Sequence, residues 1–273
     1  MKERVYFGRV ERRNEWATST VCLFSKKAED VWERVKDTMM YQLEDPFVVR
    51  INGELVLGGT RVDFSRGKLS GFCGVFYKGT NLFNLYYFTT GPQQMKDIRY
   101  VQLPDGKLGV FSRPRGEEIR KKYGSEAVIG FTVLNSINEL DADVVEQATA
   151  IEGVFGRDEW GGCNQCLLLE NGKIGVIGHG CYNEFDGTIN QLVYTNIAFV
   201  FDPETFQVSD LKMIGTRKSY PTGEGKKPNL ADCAFTSGIV KRDDGRYDLY
   251  SGVGDTAEGR VIIENPFPAK IKE

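Results

Sequence analysis

The segment Glu44-Asp45-Pro46 is the part of this sequence best suited to chemistry. Proline at 46 biases Asp45 toward extended backbone, and neighbours in an extended strand point to opposite faces. Glu44 and Asp45 are therefore expected to take different roles; the plain alternative is an aspartate that satisfies a turn. Asp97 and Arg99 share a strand face, as site residues or as a simple ion pair, and Asp158, Asp232 and Asp255 lie near glycines or at strand starts. Carboxylates crowded into one cavity are what acid/base chemistry on a glycosidic bond requires. The single histidine, His179, stands between Gly178 and Gly180. It excludes multi-histidine metal sites and is the one base open to a Ser-His-Asp or Cys-His scheme. Two readings of it stand: a site residue that a ligand approaches closely, or a hydrogen-bonded structural histidine.

Cys163, Cys166, His179 and Cys181 read as C-x2-C-x12-H-x-C, four potential zinc ligands. A strand would set Cys163 and Cys166 on opposite faces, and cysteine is commonly buried as a small hydrophobe. Structural, reduced thiols are the expectation, with no metal. No Walker A, no Gly-x-Ser-x-Gly and no correctly spaced Gly-x-Gly-x-x-Gly is present, since Gly252, Gly254 and Gly259 miss the spacing. Trp16, Trp32 and Trp160 can stack on sugar faces or fill a core.

The elements that must position these groups read as short strands. Examples are Phe47–Ile51, Glu54–Leu57, Leu82–Phe88, Lys107–Phe111, Val128–Leu134, Lys173–Ile177, Tyr194–Phe201 and Arg246–Tyr250. Asn52-Gly53, Asp105-Gly106, Asn171-Gly172 and Asp244-Gly245 predict type I′ hairpins. Their glycines stand 53, 66 and 73 residues apart, a spacing that suits propeller blades. At four strands per blade the 273 residues hold about five blades, and the first looks short. Ala28–Met40 disagrees: Val31, Trp32, Val35 and Met39 have helical spacing.

Composition fits a globular chain, 41% hydrophobic and 27% charged, and rules out general disorder. Glycine, at 31 residues, exceeds the usual share, and aromatics reach 12%, both in keeping with an all-β fold. A net charge of −3 gives no basic excess for nucleic acid or an anionic membrane. No apolar run spans a bilayer, and Met1-Lys2-Glu3-Arg4 has no signal-peptide core, so the cytoplasm is the expected location.

Several segments carry a family resemblance: Gly8-Arg9-Val10-Glu11, Glu44-Asp45-Pro46-Phe47, Gly53–Gly59, Lys96-Asp97-Ile98-Arg99, Leu230-Ala231-Asp232-Cys233 and Gly252–Thr256. Over nearly the whole chain the sequence resembles a bacterial five-bladed propeller family long described as a domain of unknown function. That family includes the β-1,2-mannosyltransferase/phosphorylases of glycosyltransferase family 108. More distantly, through its Glu-Asp-Pro and Gly-x-x-Asp-Thr motifs, it is similar to the mannoside phosphorylases of glycoside hydrolase family 130. The resemblance implies one all-β propeller domain, with approximate blades 1–40, 41–95, 96–155, 156–225 and 226–273. It also implies that Ala28–Met40 is extended or irregular rather than helical.

For function, the resemblance implies inverting mannosyl transfer between a β-mannoside and phosphate, with an oligosaccharide or sugar phosphate as partner. Asp45 would be the general acid, acting directly or through a sugar hydroxyl. Arg9, Glu11, Asp97, Asp158, Asp232 and Asp255 would bind substrate. Arg113, Arg157, His179 and Lys218 are candidates for holding inorganic phosphate, the co-substrate; no other cofactor is implied. Two rivals stand beside this reading, an inverting glycoside hydrolase and a non-catalytic glycan-binding propeller. A carboxylate across the cavity from Asp45, at about 6.5–9.5 Å, would favour hydrolysis. A basic cluster would favour phosphorolysis, and neither would leave binding alone.

Overall fold

The computed structural model describes residues 5–15 and 18–272. Its strands form five antiparallel sheets, each a meander in chain order. The first holds β1 (Val5–Val10), β2 (Thr20–Ala28) and β3 (Val31–Arg34). The second holds β4 (Glu44–Ile51), β5 (Glu54–Ser65), β6 (Lys68–Gly79) and β7 (Tyr86–Gln93). The third holds β8 (Arg99–Gln102), β9 (Leu108–Ser112), β10 (Ile129–Leu134) and β11 (Thr149–Ile151). The fourth holds β12 (Trp160–Leu168), β13 (Ile174–Phe185), β14 (Asn190–Asp202) and β15 (Gln207–Gly215). The fifth holds β16 (Ala234–Lys241), β17 (Tyr247–Val253) and β18 (Ala257–Ile263). The leading strands lie side by side, β1 against β4, β4 against β8, β8 against β12 and β12 against β16. This is the five-bladed β-propeller that the turn spacing predicts.

Those turns join the first and second strands of blades two to five. Asn52 and Gly53 both have positive φ, 48° and 84°, as a type I′ turn requires. The other three depart from that expectation, because only their glycines are left-handed. In each, the side-chain oxygen of Asp105, Asn171 or Asp244 accepts a hydrogen bond from the amide two residues on, at 3.1, 3.2 and 3.0 Å. That bond holds the Asx residue at negative φ, and the hairpin closes one residue wider: the Leu103 amide donates to the Lys107 carbonyl at 2.8 Å.

Ala28–Met40 is not helical. Asp30 and Asp37 sit at φ 55° and 58°, which no α-helix accommodates. Between them β3 pairs with β2, and the Trp32 ring meets Tyr6 edge-on at 4.5 Å. Tertiary pairing thus overrides the helical spacing. Two short helices do occur, α1 (Glu117–Tyr123), which ends on left-handed Gly124, and α2 (Ala142–Glu146), capped by the Asp141 side chain.

The core lies between blades. Phe111, Phe131, Phe199 and Phe201 fill the wedge between the third and fourth, and Phe76, Tyr100 and Val110 that between the second and third. Each such aromatic contributes about 1.5–3 kcal/mol by leaving water. Among the described residues no strand of blade one pairs with blade five. The ring closes there through side chains, with Arg260 bonded to Asp30 at 2.6 Å and Lys226 to Glu11 at 3.0 Å.

Candidate active site on the propeller axis

Two groups of side chains meet where the leading strands converge. The first is built on Arg9, near the end of β1. Its Nε donates to Ser19 Oγ at 2.7 Å, its Nη2 to Glu11 at 2.6 Å and its Nη1 to Asp45 at 3.2 Å. Asp255 lies 3.3 Å from Nη1, and Lys226 bridges Glu11 and Asp255 at 3.0 and 3.6 Å. Asp45, Glu44, Asp255 and Glu11 hold Arg9 charged despite its burial.

Strand alternation fails at Glu44-Asp45. A bulge shifts the β4–β5 register between Glu44 and Phe47, and Asp45 adopts φ 48°. Both carboxyl groups consequently turn toward the same guanidinium, Glu44 at 3.6 Å and Asp45 at 3.2 Å. The expectation that they face opposite ways, which rested on regular extended backbone, is corrected.

The second group lines a cavity of about 170 Å³. Lys96, Arg113, Arg115 and His179 supply its basic side, and Trp160, Tyr194 and Phe235 its aromatic wall, with Glu126 the one carboxylate. Lys96 joins the two groups, because it borders the cavity and its charge also acts on Glu44. Asp97 sits behind Arg113, with Oδ2 2.5 Å from Nη1. Burial pushes the Asp97 carboxyl up, but Arg113 and His179 outweigh it and hold it well below the usual carboxylate range. Gly162 makes this packing possible: a Cβ there would stand 3.1 Å from Asp97 Cβ and 3.3 Å from His179 Cε1.

His179 is buried, and its Nδ1 lies 2.7 Å from Asn164 Oδ1. With that oxygen as acceptor, Nδ1 carries the proton and Nε2 presents a lone pair. Burial first, then Arg113 and Lys96 against the opposing pull of Asp97, lowers its pKa to about 3. That environment favours the neutral imidazole, with Nε2 as an acceptor. Asp97 Oδ1, Arg113 Nε and His179 Nε2 are buried without hydrogen-bond partners among the described residues. Native interiors seldom leave such groups unpaired except where a ligand or water belongs.

The other sequence candidates are not among the residues that line this cavity. Arg157 and Asp158 are exposed in the loop before β12, where the Asp158 amide donates to Gly124. Lys218 is exposed beside a separate depression with Arg217, Tyr220 and Thr222. Asp232 is half-buried, and its carbonyl accepts from the Tyr194 amide at 3.0 Å. Asp97 is enclosed behind Arg113, which it meets through Oδ2. Of the tryptophans, Trp160 lines the cavity, Trp32 packs on Tyr6, and Trp16 lies outside the described residues.

Cys163 and Cys166 share one buried cluster, because a bulge after Cys163 breaks the alternation there too. Burial pushes the thiols of Cys163, Cys181 and Cys233 up, Cys181 to about 12, so none is poised as a nucleophile. Among the described residues no group of three His, Cys, Asp or Glu is arranged for a metal ion. Nor is any helix among them long and apolar enough to cross a membrane.

Residues 2–269 match the model of a family described as a protein of unknown function, DUF1861. The chain belongs to that family. It is similar in structure to MPT-4, a mannose phosphorylase from Leishmania mexicana in complex with phosphate ion. The two share 47% identity over 99% of this chain and 83% of that one, at a TM-score of 0.93. It is similar also to MPT-1, a GDP-Man-dependent mannosyltransferase from the same organism, at 45% identity over 98% and 82% of the two chains and a TM-score of 0.89. A glycosyl hydrolase from Bacteroides ovatus, 15% identical over 99% of this chain and 83% of its own, superposes with a TM-score of 0.64 and shares the fold. No curated protein matches.

Lys96, Arg115, Glu126, Tyr194, Phe235 and Lys226 escaped sequence reasoning. Lys96 and Arg115 had a legible signal, since they flank Asp97 and Arg113 in Lys96-Asp97 and Arg113-Pro114-Arg115. Tyr194 and Phe235 look like ordinary strand aromatics and carried none.

Proposed function

We propose that this enzyme transfers a mannosyl unit between a β-mannoside and inorganic phosphate, with inversion, in the axial cavity. The observation that carries the reading is the basic side of that cavity, adjacent to the Arg9–Asp45 group. Phosphate needs several charge-assisted donors, and Arg113, Arg115 and Lys96 supply them. Neutral His179 accepts from a phosphate or sugar hydroxyl through Nε2. The similarity to a phosphate-bound mannose phosphorylase supports the same reading. Trp160 and Phe235 offer apolar faces for a sugar ring.

In the phosphorolytic direction a phosphate oxygen attacks the anomeric carbon and the glycosidic C–O bond breaks. Asp45 gives its proton to the departing oxygen, directly or through a sugar hydroxyl. No second carboxylate is needed as base, because phosphate arrives as an anion. Arg9 and Asp255 flank Asp45, and with Glu11 they are placed to meet sugar hydroxyls.

The test is incubation of mannobioses, the β-1,2-linked one included, with and without phosphate. Phosphate-dependent release of mannose 1-phosphate is the expected result. Free mannose formed at a rate that ignores phosphate would make the protein a hydrolase. A GDP-mannose arm in the same assay shows whether a nucleotide sugar serves as donor.

A further inference from the structure

Glu44 is the least well paired carboxylate of the Arg9 group. Glu11, Asp45 and Asp255 each lie within 3.3 Å of an Arg9 nitrogen, whereas Glu44 comes no nearer than 3.6 Å. The hydrogen-bonding capacity of Arg9 is directed at Ser19, Glu11 and Asp45. Lys226 is directed at Glu11 and Asp255. The Glu44 side chain is only 14% exposed. Among the described residues four carboxyl groups thus share two contacting cations, and Lys96 acts on Glu44 from the cavity side. An enclosed carboxylate with no hydrogen bond among the described residues, beside a second carboxylate, favours its neutral form.

The groups acting on Glu44 come from every side: Asp45 on its own strand, Arg9 and Glu11 from blade one, and Lys96 ahead of β8. Burial and the Asp45 charge outweigh Arg9 and Lys96 and raise its pKa to about 7. Arg9 touches both members of the pair, Asp45 at 3.2 Å and Glu44 at 3.6 Å. A general acid must be reprotonated after every turnover, and the bulge brings Glu44 to the same guanidinium as Asp45.

Building on the mannosyl-transfer reading, we propose that the acid proton of this site belongs to the Glu44–Asp45 pair jointly and rests on Glu44 between turnovers. In each phosphorolytic cycle Glu44 passes its proton to Asp45, Asp45 gives that proton to the leaving oxygen as the glycosidic C–O bond breaks, and solvent reprotonates Glu44. Glu44 is a positioning and proton-holding residue, and Asp45 remains the group that meets substrate.

The test compares Glu44→Gln, Glu44→Asp and Asp45→Asn in phosphorolysis of a β-1,2-mannobiose across pH. The wild type should lose activity as pH rises through about 7. Glu44→Gln should turn over at least about tenfold more slowly and lose activity at lower pH, because the group that holds the resting proton is gone. Glu44→Asp should restore the neutral limb. A Glu44→Gln profile with its limb unmoved, at whatever rate, overturns the proposal. Asp45→Asn separates the two claims: if it stays active, the assignment of Asp45 fails, and if it is inactive beside an unshifted Glu44→Gln, only the shared proton fails. A readout free of activity is the infrared carboxylic-acid band. It should bleach near pH 7 in the wild type and be diminished in folded Glu44→Gln; identical spectra would overturn the proposal as well.

Discussion

Arg113 Nη1 stands 2.5 Å from Asp97 Oδ2, and the two side chains are 7% and 0% exposed. Arg113 borders the cavity while Asp97 lies behind it, so the carboxylate fixes the face that the guanidinium presents. Removing one member of a buried pair leaves an uncompensated charge, at a cost of about 3–5 kcal/mol. Asp97→Asn should accordingly lose about that much unfolding free energy in urea. Its affinity for phosphate should also fall, because Arg113 is no longer held in place. A variant as stable as the wild type would show that the pair is not what anchors Arg113.

Asp45→Asn should separate chemistry from packing. The amide is nearly isosteric and keeps a hydrogen-bonding oxygen toward Arg9, so the melting temperature should change by a few degrees at most. Turnover should fall about 10²–10⁴-fold, the usual contribution of a placed general acid. Mannobiose phosphorolysis within about tenfold of the wild type would remove Asp45 from the acid role.

The blade count was legible because Asx-Gly turns mark one connection in each of four blades, a signal local in sequence. Asp45, Arg9, Glu11 and Asp255 were legible through their motifs, and the structure brings all four together. Arg157, Asp158, Lys218 and Asp232 were not separable from them, because their distance from the axis depends on loops whose course no periodicity encodes. The joint orientation of Glu44 and Asp45 was hidden for a different reason. It depends on a bulge and a left-handed aspartate, and alternation arguments assume that neither is present. The helical spacing of Ala28–Met40 misled in the same way, since long-range pairing with β2 decides that segment.

His179 should make stability depend on pH. Its pKa falls from 6.5 to about 3 on folding because burial disfavours the imidazolium. Above pH 6.5 it is neutral in both states and the contribution is fully present. As pH falls toward 3 the unfolded chain takes up a proton that the folded chain refuses, and stability is lost. Glu44 works oppositely over its own window, since its raised pKa costs stability as pH rises from 4.5 to about 7. The comparison of wild type with His179→Gln isolates the histidine. Between pH 6 and 4 the wild type should lose up to about 1.4 kcal/mol per pH unit more than the variant. Parallel curves would mean that His179 is protonated in the native state.

Closure of the ring rests on Arg260 more than on any strand among the described residues. Its Nε and Nη2 grip Asp30 at 2.6 and 2.8 Å, Nη2 reaches Glu29 at 3.1 Å, and Nη1 holds buried Asp248 at 2.7 Å. Asp30 and Glu29 are more than half exposed, so solvent screens those contacts and each contributes little alone. The bidentate geometry and the buried anchor raise the total. Asp248 keeps Arg242 at 2.7 Å when Arg260 is removed, which limits the damage. Arg260→Ala should therefore cost about 1–2 kcal/mol, the four charge-assisted bonds being discounted for screening and for the retained Arg242–Asp248 contact. Because the exposed part is electrostatic, the gap to the wild type should narrow in ~1 M salt, where charges are screened within about 3 Å. A gap that ignores salt would assign the loss to packing of the Arg260 stem between blades. No gap at all would mean that blades five and one are joined by other contacts.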